Sequence, residues 1–158
     1  MKKHFGYLIA LAVFGLDRLS KWWIVEVLNL EKSGPIDLLP FLDLSLVWNR
    51  GISLGLFQMD GDVGRYVLIA LTSAITLVVA WWLFRVHEKW VKIGLGLVLG
   101  GAVGNIWDRF EYGAVADFFH FFIGNWSFYT FNVADAAISV GVVLLLWDAL
   151  LLSKKKNT

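Results

Sequence analysis

The sequence contains no cysteine, which excludes disulfides, thiolate metal sites and a cysteine nucleophile while leaving the redox compartment open. Histidine is almost as scarce, and His4, His87 and His120 lie too far apart for the His-x-x-x-His spacing of a metal site. Neither a metal nor a cofactor is expected. Charged residues make up 17% of the chain and leave a net charge of +1. Because the basic residues collect at the two ends and in one short loop, that total gives no sign of a nucleic-acid partner. Repeats and low-complexity segments are missing apart from Lys154, Lys155 and Lys156, which read as a topology signal in contact with anionic lipid.

What is present is apolar. Of the 158 residues, 58% are hydrophobic, and the mean hydropathy is +0.67, as befits a chain whose solvent is lipid. A single membrane domain over 1–158 is expected. Four stretches, 5–27, 64–86, 91–108 and 133–152, are long enough to cross a hydrocarbon core, which takes about 20 helical residues. The first follows Lys2 and Lys3 in the manner of a secretory signal, but it continues through Asp17 and Arg18 instead of a small-residue cleavage site, so it reads as an uncleaved span. In the third, Gly96, Gly100 and Gly104 recur on one helix face, a spacing that allows close approach of a second helix, either within the chain or in a dimer.

Lys2, Lys3, Arg85, Lys89, Lys92 and the lysine tail fall on one side of a four-span protein, which places both termini in the cytoplasm. Lys32, Arg50 and Arg109 remain outside, with Arg65 at a span end. Trp22, Trp23 and Trp107 near the outer ends, and Trp81, Trp82, Trp90 and Trp147 near the inner ends, fit an aromatic belt. The expected fold is therefore all-α with four transmembrane helices. A small strand-containing outer element is expected between spans one and two, where Leu38 to Val47 alternates irregularly. Residues 109–132 form the second outer segment.

Ionisable groups in or beside the bilayer are functional candidates by default. Asp17 lies inside span one with Lys21 four residues on, so the two read as a structural ion pair. Asp148, near the inner end of span four, reads as a snorkelling residue. The outer ends of spans three and four are denser. Asn105, Asp108 and Arg109 close span three, Asp117 follows in the loop, and Asn132 and Asp135 open span four. Asp108 and Arg109 are expected to satisfy one another or nearby backbone, which leaves Asp117 and Asp135 without an obvious cation. Two neighbouring carboxylates share one proton over a wide pH range, the state in which one activates water and the other protonates a scissile carbonyl. From spacing alone, helix- or loop-capping by both aspartates is an equal reading. Gly51-Ile52-Ser53-Leu54-Gly55 matches a serine-hydrolase elbow, with His120 as a partner on the same side, but that motif has meaning only in an α/β sheet that this chain is too short and apolar to build. A transporter would spread ionisable groups through the bilayer depth, and a scaffold would not gather them at one surface.

Four separated blocks carry a resemblance: Leu16 to Lys21, Trp48-Asn49-Arg50-Gly51, Gly104 to Arg109 continuing to Asp117-Phe118, and Phe131 to Asp135. In order and spacing they resemble the bacterial lipoprotein signal peptidase family, signal peptidase II, over essentially the whole chain. The resemblance implies an aspartyl endopeptidase of the bacterial cytoplasmic (inner) membrane with its site toward the outer face. Such an enzyme removes the signal peptide of a diacylglyceryl-modified prolipoprotein before the lipidated cysteine. It implies Asp117 and Asp135 as the catalytic pair, with Asn49, Gly51, Asn105, Asp108, Arg109, Asn132 and Ala134 shaping the site and Asp17 and Lys21 in the first block. The expected partners are the prolipoprotein, membrane lipid and a globomycin-type inhibitor, and the expected state is a monomer. Ile52, Ser53 and Leu54 depart from the family's usual small residues and phenylalanine, and Trp107 stands where an aliphatic residue is usual.

Overall fold

The computed structural model describes residues 4–51, 62–124 and 126–156. The serine-hydrolase motif beyond Gly51, including Ile52, Ser53 and Leu54, lies outside the described residues. Helix α1 (Phe5–Trp22) continues through a π-helical turn at Trp23–Val27. A short helix α2 (Leu30–Ser33) leads to strands β1 (Ile36–Leu39) and β2 (Leu42–Asn49). Helices α3 (Asp62–Arg85) and α4 (Lys89–Glu111) follow. Strands β3 (Val115–Ile123) and β4 (Trp126–Phe131) then precede helix α5 (Val133–Lys156).

The helices are apolar on the outside. Leu77, Phe84, Val143 and Leu146 on α3 and α5 are each 60% or more exposed, a surface that hydrocarbon accommodates and water does not. Among the described residues, three helices, α3, α4 and α5, are long and apolar enough to cross a membrane. Helix α1 carries Asp17, Arg18 and Lys21 within its 18 residues, too many charges to qualify by composition, although with its π-helical turn it covers the expected 5–27.

Helix α4 is the centre of the bundle and packs on α1, α3 and α5. Its glycines make this geometry attainable. A Cβ at Gly100 would stand 2.5 Å from the carbonyl oxygen of Ala10 in α1, and one at Gly101 would stand 2.5 Å from that of Ala134 in α5. The Gly96, Gly100 and Gly104 face thus serves packing within the chain, against α1, and Gly104 lies directly under the Asp17 carboxylate. Ala10, Leu83, Val91, Leu95 and Leu99 fill the core around these crossings.

The all-α expectation needs correction. Strands β1 to β4 form one antiparallel sheet in sequence order. The outer element expected between the first two spans supplies only half of it. Val115-Ala116-Asp117-Phe118-Phe119 and Trp126-Ser127-Phe128-Tyr129 are rich in aromatic residues suited to strands. Residues 115–118 are buried on both faces, so the two-residue alternation that marks a half-buried strand is missing there. Phe118 and Leu44 join Ile24 and Leu30 in a second core that fixes the sheet to the end of α1.

Replacing Gly100 by alanine is expected to lower stability by about 1–3 kcal/mol through overpacking. Gly15→Ala, on a face with nothing within 4 Å, is expected to be neutral or slightly stabilising. Thermal unfolding of both variants in one detergent checks this. Equal midpoints would contradict the close-approach account.

Candidate active site

Asp117 and Asp135 come from different elements that meet where the sheet joins α5. Asp117 sits on β3, paired in register with Val47 of β2. Asn49, two residues beyond Val47, shares its face, and the Asn49 amide donates to Asp117 Oδ2 at 3.0 Å. Asn132 precedes the first turn of α5 and caps it, its Oδ1 accepting the Asp135 backbone N–H at 2.9 Å. The same side chain donates from Nδ2 to Asp117 Oδ1 at 2.7 Å. One cap residue therefore ties the two aspartates together.

Two of these amides have their orientation dictated by a neighbour that can only donate. Asn49 Oδ1 accepts the Gly51 backbone N–H at 2.9 Å, so its NH₂ must face Asp117. Asn132 is turned likewise by the Asp135 N–H. Asn105 of α4 completes the set by donating from Nδ2 to Asp135 Oδ1 at 2.8 Å. Asp117 is only 2% exposed, and Asn132 is fully buried. Burial first, and the Asp135 carboxylate second, push the Asp117 carboxyl up to about 7, against the opposing pull of Asn49, the Lys21 charge and Asn132.

Beneath the pair lies a buried charge cluster. Lys21 Nζ is 2.8 Å from Asp17 Oδ2 and 2.7 Å from Asp108 Oδ2, all three side chains having no exposed surface. Asp17 Oδ1 accepts the Ala134 backbone N–H at 2.9 Å, satisfying an otherwise orphaned donor in the first turn of α5. Asp108 Oδ1 pairs with Arg18 at 2.7 Å, and Asp108 Oδ2 also accepts from Ala116 N at 3.2 Å. The two buried carboxylates thus face two cations, and Arg18 also pairs with the exposed Glu111 at 2.5 Å, so no charge in the buried cluster is left alone.

Asp17 and Lys21 pair as expected, but Asp108 and Arg109 do not serve one another. Adjacent residues on a helix point in different directions, and Asp108 turns to α1 while Arg109 turns to backbone. Arg109 donates to the carbonyls of Asn105 at 3.1 Å and Gly51 at 2.8 Å. Gly51 thus serves with both its N–H and its carbonyl, and Ala134 serves through its backbone. The sequence reading assigned no role to Arg18 or Arg65. Arg18 carried a readable signal as a charge inside an apolar helix. Arg65, whose guanidinium holds the Arg109 and Phe110 carbonyls at 2.6 Å each, closes the C-terminal end of α4 across 44 residues or more and left no local signal.

A cavity of about 740 Å³ opens beside Asp135 between α3, α4, α5 and β4. Thr72, Ile75, Val98, Phe131 and Ile138 line it, with Asp135, Asn105 and Arg109 at its polar end. The apolar walls and few convergent polar groups are those of a site for an apolar chain carrying one reactive polar group. His120 belongs elsewhere. Its Nδ1 lies 3.1 Å from both carboxylate oxygens of Asp43, and its Nε2 lies 2.7 Å from Ser127 Oγ, bonds that link β2, β3 and β4.

Residues 9–151 match the family described as signal peptidase (SPase) II. The chain is 46% identical over 145 residues to the lipoprotein signal peptidase of Methylorubrum extorquens (strain PA1), covering 92% of this chain and 85% of that one. It is 44% identical over 153 residues to the lipoprotein signal peptidase of Methylocella silvestris, covering 97% and 90%. A solved bacterial membrane enzyme has the same fold, with a TM-score of 0.81 at 24% identity over 97% of this chain and 90% of that one. The match along most of its length places this chain in the signal peptidase II family, whose members cleave signal peptides from prolipoproteins.

Proposed function

We propose that Asp117 and Asp135 are the catalytic pair of this peptidase, that they act with one proton between them, and that the scissile bond precedes a diacylglyceryl-modified cysteine. The observation that carries this reading is that one buried side chain, Asn132, donates to the buried Asp117 carboxylate and accepts the Asp135 backbone N–H, while Asp135 itself lines the polar end of an apolar cavity. Both ionised carboxylates together would be costly at this burial, so the singly protonated pair is the favoured state.

In that state the ionised aspartate takes a proton from water as the water oxygen attacks the scissile carbonyl carbon. The protonated aspartate gives its proton to the carbonyl oxygen, and a neutral tetrahedral intermediate forms. The roles then reverse. The newly protonated aspartate passes its proton to the departing amide nitrogen, the other takes one from an intermediate hydroxyl, and the C–N bond breaks. The pair ends with the single proton it began with.

A lipid-linked substrate would enter sideways from the bilayer, its apolar segment against Ile75, Val98 and Ile138, and a globomycin-type cyclic peptide would compete for the same space. We infer four spans with both termini cytoplasmic and a monomeric enzyme. Because its charges are matched inside the bundle by Asp108 and by one another, α1 is able to cross despite them. The site then lies at the outer, periplasmic surface of the inner membrane.

Asp117→Asn and Asp135→Asn are each expected to lower kcat/KM on a lipidated prolipoprotein by about 10²- to 10⁴-fold or more, while Ser53→Ala keeps most activity. Normal cleavage by either folded aspartate variant would overturn the mechanism. The pH dependence follows from the Asp117 carboxyl standing at about 7. Below that value the shared proton is present, and above it the pair becomes doubly ionised, so kcat should fall as pH rises through about 7. A rate that stays level well above that value would contradict it.

A further inference from the structure

Asn105 is the third amide of the site, and its orientation decides what Asp135 meets. Its Nδ2 donates to Asp135 Oδ1 at 2.8 Å, while its Oδ1 lies 3.1 Å from Lys21 Nζ and 3.2 Å from Asn132 Nδ2. Rotated by half a turn, the amide would set NH₂ against an ammonium and a carbonyl oxygen against a carboxylate. An ammonium has three donors and no acceptor. Those three donors are fully used, on Asp17 Oδ2, Asp108 Oδ2 and Asn105 Oδ1. The Asn132 amide, the other donor to Asn105 Oδ1, is divided among Asn105, the Ala116 carbonyl and Asp117, with its shortest bond to Asp117.

We propose that Lys21 is a positioning residue for the aspartate pair: by holding the Asn105 oxygen it turns the Asn105 NH₂ onto Asp135. An ion pair with Asp17 alone would account for the burial of Lys21 but leaves its third bond without a purpose. That third bond connects α1 to the reacting carboxylate through a single side chain, and it makes the point-like ammonium on its flexible stem the suitable cation. The inference rests on Asp135 acting in the reaction as proposed above.

The test is a mutant cycle on cleavage of a lipidated prolipoprotein in detergent, with rates referred to folded protein. The charge-neutral pair Asp17→Asn/Lys21→Met keeps an acceptor for the Ala134 N–H and leaves Asp108 with Arg18. It is expected to lower kcat by about 10- to 100-fold, as a small misplacement of a catalytic group does, with KM within about twofold. Introduced into Asn105→Ala, the same pair should cost less than about threefold more, because the route to Asp135 is already cut. Losses that multiply independently, or a wild-type kcat in the Asp17→Asn/Lys21→Met enzyme, would overturn the inference. Should that pair not fold, Lys21→Arg with and without Asn105→Ala closes the same cycle, with the same criterion. If Asp135→Asn itself retains cleavage, the proposed mechanism fails. If Asp135→Asn is inactive but the cycle is multiplicative, only the role of Lys21 fails.

Discussion

The site depends on hydrogen bonds from asparagine amides whose orientations are imposed by neighbours that only donate. Gly51 N–H turns Asn49, Asp135 N–H turns Asn132, and the Lys21 ammonium faces the Asn105 oxygen. In each case the amide oxygen is occupied and the NH₂ is directed at a carboxylate. An amide that is free to rotate would present either end, and half of its settings would repel an ionised aspartate. Fixing all three surrounds the two carboxylates with a neutral shell of donors. Amides suit this task because they supply donors without adding positive charge, which would favour ionisation of both acids.

The helix packing exists in service of that shell. Asn105, Asp108 and Arg109 lie on one stretch of α4 and between them reach α5, α1 and the chain after β2. Their reach is short, so the helices must approach closely, and glycines at positions 100, 101 and 104 allow it. The buried cluster of Asp17, Lys21, Asp108 and Arg18 then locks α1 to α4, and through the Ala134 N–H it locks α1 to the start of α5. Buried ion pairs add little net stability over apolar packing, but breaking one is expensive, so a cluster of this kind enforces one arrangement of the helices.

Much of this was legible in the chain itself. The four long apolar stretches became α1 and α3 to α5, the i,i+4 spacing of Asp17 and Lys21 became a 2.8 Å ion pair, and the glycine face became an internal crossing. Periodicity and local spacing determine these features. Strand β3 was not legible, because residues 115–118 are covered on both faces and lose the alternation that marks a strand, and β4 buries none of its residues and so shows no alternation either. Of the two readings for Asp108 and Arg109, one another or nearby backbone, the backbone one holds, with Ala116 N–H on Asp108 and the Asn105 and Gly51 carbonyls on Arg109. Helical geometry sends the two side chains apart and brings Arg18, 90 residues away, to 2.7 Å from Asp108. Bonds such as those from Arg65 to the end of α4 are set by the tertiary fold alone.

The central claim is that Asp117 and Asp135 hold a single proton between them below a pH of about 7. Infrared difference spectroscopy across a pH titration of the folded enzyme measures this through the stretch of a protonated carboxyl. The account predicts a band corresponding to one proton, lost as pH rises through about 7 and altered when Asp117 is replaced by asparagine. A pair already fully ionised at neutral pH, or a band indifferent to Asp117→Asn, would contradict it.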